Sequence, residues 1–193
     1  MPEQSDFDPS AINSPRNRLP APPPDTSEDL VIGEPVDTTG IDAALVARLA
    51  FDGYKLRWVA AQPKEWTAFS GLADESARES KQDIGPTPQG HFTINPADIQ
   101  YLEPGADWGS HRVRLQPVAA TVNRMRDCFK LIRTGMYIHG GGVKGTKGCI
   151  ELNDDTEEKA FFDALAAYGS PIDLEVKYTG ARERAYEEAA CPY

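Results

Sequence analysis

Residues Met136–Leu152 read MYIHGGGVKGTKGCIEL, two short apolar runs joined by a loop that contains five glycines. Side chains alternate along a strand. In MYIH, Met136 and Ile138 therefore face one way, and Tyr137 and His139 the other. In CIEL, Ile150 and Leu152 share a face, and Cys149 and Glu151 share the opposite one. With the apolar pairs turned to a core and the two strands adjacent, His139 and Cys149 emerge together on the outer face. The glycines let the chain return, because they take positive φ without steric cost.

A cysteine beside a histidine has a chemical use. The imidazole takes the thiol proton, and the resulting thiolate–imidazolium pair attacks a carbonyl carbon. Gly148 lets the backbone approach a substrate closely. The N–H of Cys149, with that of Gly148 or Lys147, is placed to bind the developing oxyanion, and one such donor is commonly worth about 3–4 kcal/mol of barrier. Thr146 offers a hydroxyl to position loop or substrate. A phosphate-binding loop competes for the same stretch, since Gly140 and Gly145 have the Walker spacing. Thr146-Lys147 reverses the required Lys-Ser/Thr order, however. A metal site lacks a third ligand at useful spacing, and no cofactor is implied.

The rest of the chain frames this loop. Its 193 residues, 40% hydrophobic and 26% charged, suit one globular core with a tail. No apolar run is long enough for a membrane span, and the first residues lack the pattern of a secretory signal peptide. A net charge of −10 disfavours nucleic acid. The charge is uneven. Residues 124–149 hold Arg124, Arg126, Lys130, Arg133, Lys144 and Lys147 against Asp127 alone. That block reads either as a solvated basic surface or as a site for a carboxylate-bearing substrate. Cys128, Cys149 and Cys191 are widely spaced and odd in number, which argues against a disulfide framework; Cys128 is expected to be buried.

Residues 1–40 contain half of the sixteen prolines and a single aromatic residue, Phe7, and read as an acidic, flexible arm. A short helix is expected over Ile41–Leu49 from the spacing of Ile41, Leu45 and Leu49. Strands are expected at YKLRWVA, EWTAFSG, His91–Ile94, RVRLQPV (112–118), MYIH, CIEL and IDLEVKY (172–178). A polar loop covers 73–83, and a helix is expected over 119–132. The firmest helix follows Asn153–Asp155, with apolar Phe161, Leu165 and Tyr168, and stops at Gly169 and Pro171. The sum is a mostly β chain with one or two helices, an α+β class, over residues 41–180, followed by a charged tail, 181–193. His91 and His111 read as structural or surface residues.

The motif His139…Thr146-x-Gly148-Cys149-Ile150-x-Leu152 resembles the signature of the L,D-transpeptidase (YkuD-type) catalytic domain. The short His–Cys spacing is more similar to the type VI secretion L,D-transpeptidase effectors. AFSG (68–71), GPTPQGHFTI (85–94) and WGSHRVRLQP (108–117) agree, so the resemblance covers about residues 50–178. Threonine stands at position 146 where serine is usual, and residues 119–133 depart from the family pattern. The resemblance implies a β-sandwich or barrel domain and an antibacterial, cell-wall-targeting enzyme. Cys149 would be the nucleophile and His139 the base, oriented by a backbone carbonyl, acting on the bond between meso-diaminopimelate and D-Ala in peptidoglycan tetrapeptide stems. Hydrolysis would make it an L,D-carboxypeptidase; exchange or crosslinking, an L,D-transpeptidase. Arg133, Lys144 and Lys147 would meet stem carboxylates, with Ser70, Tyr137 and Gly140 also in the cleft. Implied partners are a cognate immunity protein and a secretion chaperone or spike component that docks the arm, with action in the periplasm of target bacteria. The alternatives are a housekeeping L,D-transpeptidase, a cysteine peptidoglycan amidase (although NlpC/P60-type amidases place Cys before His) and a non-catalytic wall-binding module.

Overall fold

The computed structural model describes residues 46–72, 78–103, 107–141 and 145–179. The arm 1–40, the tail 181–193, Lys144 and Cys191 lie outside them.

The described chain is mostly β, with two helices. The strands are β1 (Arg48–Phe51), β2 (Lys55–Val59), β3 (Lys64–Ser70), β4 (Gly90–Ile94), β5 (Gln100–Tyr101), β6 (His111–Arg114), β7 (Gln116–Pro117), β8 (Tyr137–His139), β9 (Ile150–Leu152) and β10 (Ile172–Val176). They form one mixed, hydrogen-bonded series in the order β5-β6-β8-β9-β3-β2-β1-β10-β4-β7. The pivot is β3. Its first residues, Lys64–Thr67, pair with β2, and its last, Ala68–Ser70, pair with β9.

Period-2 patterning explains both halves. Register places Phe92, Leu174, Leu49 and Trp58 in one cross-strand row. Val113, Ile138, Ile150 and Ser70 form another. All eight are buried in the interior, where each Leu, Ile, Val or Phe contributes about 1.5–3 kcal/mol. The helix α2 (Asp155–Tyr168) closes this core with Phe161, Phe162 and Leu165. Phe161 meets Trp66 edge-on at 5.2 Å. Asp154 caps the helix, its Oδ1 accepting from the N–H groups of Thr156 (3.0 Å) and Glu157 (2.9 Å). Gly169 ends it at φ 69°.

Three expectations are corrected. Leu49 lies in strand β1, not in a helix over 41–49, of which residues 41–45 lie outside the described chain. Pairing with both β2 and β10 buries Leu49 and Phe51 at period 2, and this tertiary pairing overrides a weak helical spacing. The expected helix 119–132 is shorter. It runs as α1 (Ala119–Arg124), then as a wider π-type turn, Met125–Phe129, ended by Lys130 at φ 57°. Thr121, Arg124 and Met125 are buried, while Ile132, beyond the widened turn, is 45% exposed. Cys128 is half-buried and disulfide-bonded. Cys149 is a free thiol.

The polar segment 73–83 also contributes an interior group. Glu79 is fully buried and binds both terminal nitrogens of Arg124, while its Oε2 accepts from the Gln89 N–H at 2.6 Å. Truncating one partner of a buried ion pair strands the other charge. Glu79→Ala should therefore lower stability by about 3–5 kcal/mol, read as a lower denaturant midpoint, whereas a loss below about 1 kcal/mol would place this pair among surface ion pairs.

Candidate active site

The strands β8 and β9 are neighbours and run parallel, Ile138 opposite Ile150 and His139 opposite Glu151. That register sets Arg112, His139, Glu151 and Phe69 in one cross-strand row, on the face opposite the apolar one. Cys149 immediately precedes β9. His139 (6% exposed) and Cys149 (5% exposed) both line a cavity of about 520 Å³. The outer face expected from the alternation is thus the floor of a cavity rather than open surface. Its walls include Asp83, Asp107, Trp108, Thr134, Gly135, Gly145, Thr146, Lys147 and Glu151. Thr134 and Gly135 also line a shallower neighbouring cavity of about 390 Å³ that carries Arg114.

The loop that carries Cys149 is held by its carbonyls. Arg133 Nη2 donates to the Lys147 carbonyl at 3.1 Å. Thr87 Oγ1 donates to that of Gly148 at 2.8 Å. Ser70 Oγ (2.8 Å) and Thr146 Oγ1 (2.6 Å) both donate to that of Cys149. Thr146 Oγ1 also accepts from the N–H groups of Gly71 (3.1 Å) and Gly148 (3.3 Å). Gly148 itself sits at φ 119°, and a Cβ there would lie 2.1 Å from Arg133 Nη2. Glycine at this position is therefore required twice, by its backbone conformation and by the guanidinium.

His139 is oriented from its other side. Its Nδ1 hydrogen-bonds the Gly140 carbonyl; with Nδ1–H donating, Nε2 is left as the proton acceptor. Trp108 packs on the imidazole at 4.9 Å between ring centres, tilted by 49°. The Arg112 guanidinium in turn lies over Trp108 (5.3 Å) and Tyr137 (4.9 Å).

Electrostatics modify the expected thiolate–imidazolium pair. Burial pushes the Cys149 thiol up to about 11, against the Tyr137 N–H and the positive charges of Arg133 and Arg112, which favour the thiolate. Burial also lowers the His139 pKa, against its bond to Gly140 and the field of Glu158. Both shifts favour uncharged forms, so the pair rests as thiol and neutral imidazole at neutral pH.

The proposed substrate contacts divide. Lys147 is exposed at the cavity. Arg133 is 4% exposed and donates to the carbonyls of Glu79, Gly85, Pro86 and Lys147, so it braces the loop from behind. Ser70 is 2% exposed beneath the Cys149 carbonyl, outside the cavity lining. Gly140 is buried against Glu158, and Tyr137 is half-buried under Arg112. The basic block of 124–149 is largely consumed: Arg124 pairs with Glu79, Arg126 with Asp127, and Lys130 donates to the Asp127 carbonyl. Among the described residues the cavity wall instead carries three carboxylates, Asp83, Asp107 and Glu151, and one lysine. Sequence reading missed Thr87, Trp108, Arg112 and Glu158 as site residues, although the first three lie inside segments it singled out. Of the other histidines, His91 pairs with Asp173 at 3.1 Å and His111 with Glu158 at 3.2 Å. Among the described residues no His, Cys, Asp or Glu group is arranged to hold a metal, and no helix is long and apolar enough to cross a membrane.

No family model matches the chain, and no curated protein matches it. Among solved structures it is similar to that of Bd1075 from Bdellovibrio bacteriovorus, at 15% identity and a TM-score of 0.47, over 74% of this chain and 54% of that one. The chain thus spans about half the length of that protein.

Cys149 is a slow thiol in the resting protein by this account. Alkylation by iodoacetamide should be weak at neutral pH and should rise about tenfold per pH unit towards pH 11. A rate that is already maximal at pH 7, followed by mass spectrometry of the Cys149 peptide, would contradict the neutral resting pair.

Proposed function

We propose that this chain is a cysteine acyl-transfer enzyme of the L,D-transpeptidase type, acting on peptidoglycan stem peptides as an antibacterial effector. The observation that carries the chemistry is the shared cavity of Cys149 and His139, with the imidazole tied through Nδ1 to the Gly140 carbonyl. That leaves Nε2 to take the thiol proton, with a backbone carbonyl in place of a third side chain. The substrate class and the effector role rest on the motif resemblance, from His139 to Leu152 and over GPTPQG (85–90).

The proposed steps run as an acyl transfer. The substrate carbonyl enters over Cys149. The sulfur attacks its carbon as the S–H proton passes to His139 Nε2, so charge separates only as the new C–S bond forms. A peptide bond holds its C=O and N–H antiparallel. The Gly148 carbonyl is fixed on Thr87, which is fully buried, so the Cys149 N–H points away from Thr87 and is the donor offered to the oxyanion. Gly148 N–H, also expected to donate, is engaged by Thr146 Oγ1. Collapse of the tetrahedral species breaks the C–N bond, and His139 returns the proton to the departing D-Ala amine. Water then cleaves the thioester, giving a tripeptide; a D-amino acid or the amine of another stem gives exchange or a crosslink. Lys147 is the described cation at the cavity able to meet a substrate carboxylate. The domain assignment to a β-sandwich or barrel of that family, the docking role of the arm, the immunity partner and the periplasmic site of action belong to the same proposal.

Directed to the periplasm of a bacterial host, the wild type should lyse or arrest cells and convert tetrapeptide stems to tripeptides in muropeptide mass spectra. Cys149→Ala and His139→Ala should both be harmless and leave tetrapeptides intact, with activity reduced by at least about a hundredfold. Equal toxicity of wild type and Cys149→Ala would remove the enzymatic reading. Release of whole stems from glycan would redirect it to an amidase.

A further inference from the structure

Behind His139 lies a carboxylate that the reaction as described does not use. Glu158, in the first turns of α2, is 1% exposed. Its Oε1 accepts from the Ser110 N–H (2.8 Å), the Ser110 hydroxyl (2.9 Å) and the His111 N–H (2.7 Å), with His111 Nδ1 at 3.2 Å. These donors fix the carboxylate on the turn that leads into β6. Its Oε2 is directed at two glycines. A Cβ on Gly140 would lie 1.8 Å from this oxygen, and one on Gly109 would lie 2.4 Å from it. Gly140 is also the residue whose carbonyl holds His139 Nδ1.

We propose that Glu158 is the positioning residue of the His139 imidazole, acting through the Gly140 backbone, and that its negative charge stabilises the imidazolium formed as the thiol proton is transferred. The proposal deepens the acyl-transfer reading and rests on it for the role of His139. The packing requires glycine at 140 and 109, so the carboxylate reaches the main chain itself rather than a side chain. It therefore packs directly against the residue whose carbonyl holds His139 Nδ1. A charge held by several donors in a water-poor site needs no reorganisation when the imidazole becomes cationic. The charged groups around the imidazole set the balance. Glu158 stands behind it and raises its basicity. Arg112, opposite in the β6–β8 register, lowers it. Cys149, Glu151 and Asp107 share its cavity, and His111 is bonded to Glu158.

The test uses Glu158→Gln, which keeps an oxygen for the Ser110 and His111 donors and removes the charge. His139 is titrated by imidazole NMR in the variant and the wild type, and single-turnover acylation by a tetrapeptide stem is followed against pH. With thermal stability near that of the wild type, the His139 titration and the acid limb of the rate should both move to lower pH by about one unit, with acylation slowed about tenfold or more. An unchanged His139 titration overturns the proposal, whatever happens to the rate. If the variant does not fold, the wild type decides. The Glu158 carboxyl carbon should shift as His139 titrates, and no response overturns the proposal equally. Because the titration needs no substrate, its failure is separable from failure of the transpeptidase reading, which Cys149→Ala addresses.

Discussion

Three consecutive carbonyls, those of Lys147, Gly148 and Cys149, are each bound by a buried side-chain donor: Arg133, Thr87, and Ser70 with Thr146. A glycine-rich loop has many conformations to lose, at about 1–2 kcal/mol per residue fixed. Hydrogen bonds made in a dry interior select one conformation, because each donor left unmatched would cost about 1–3 kcal/mol. The same constraint fixes Cys149. With its carbonyls turned inward, the loop presents the Cys149 N–H and side chain together, so the position of the sulfur is decided largely by groups behind the cavity wall.

Those groups also explain why distant segments serve one site. The GPTPQG stretch supplies Gly85 and Pro86 as acceptors for Arg133 and Thr87 as donor to Gly148. Tyr178, at the end of the described chain, donates to the Thr87 carbonyl at 2.7 Å. Arg133 reaches from the Glu79 carbonyl to that of Lys147. Its charge is thereby held close enough to Cys149 to favour the thiolate, although burial wins and keeps the resting thiol protonated.

Legibility in the sequence followed locality. That His139 and Cys149 line one cavity was readable because strand alternation is strict and both adjoin a buried isoleucine. The cap of α2 and its glycine stop were readable because both signals sit beside the helix they bound. The roles of Arg133 and Ser70 were not. A cation in a basic block looks like a ligand-binding group until the fold shows which carbonyls surround it, and those carbonyls are 48 and 54 positions away in sequence for Gly85 and Glu79. Leu49 was misread for a related reason: three apolar residues at helical spacing carry less free energy than pairing on both edges of β1. No sequence signal places Gly109 and Gly140 against Glu158.

The charge of the cavity follows from this redistribution. A block that is net positive in sequence turns Arg124 and Arg133 onto buried partners, while Arg126 and Lys130 bond the exposed Asp127. The described wall of the cavity keeps Lys147 beside Asp83, Asp107 and Glu151. Glu151 accepts from the Gly145 N–H at 3.1 Å and so steadies the loop as Thr146 does, but its charge still disfavours a resting thiolate on Cys149. Anionic walls around a neutral thiol repel anions in general and attract ammonium groups, so a ligand that carries both charges would be oriented by where they fall relative to Lys147 rather than drawn in by net attraction.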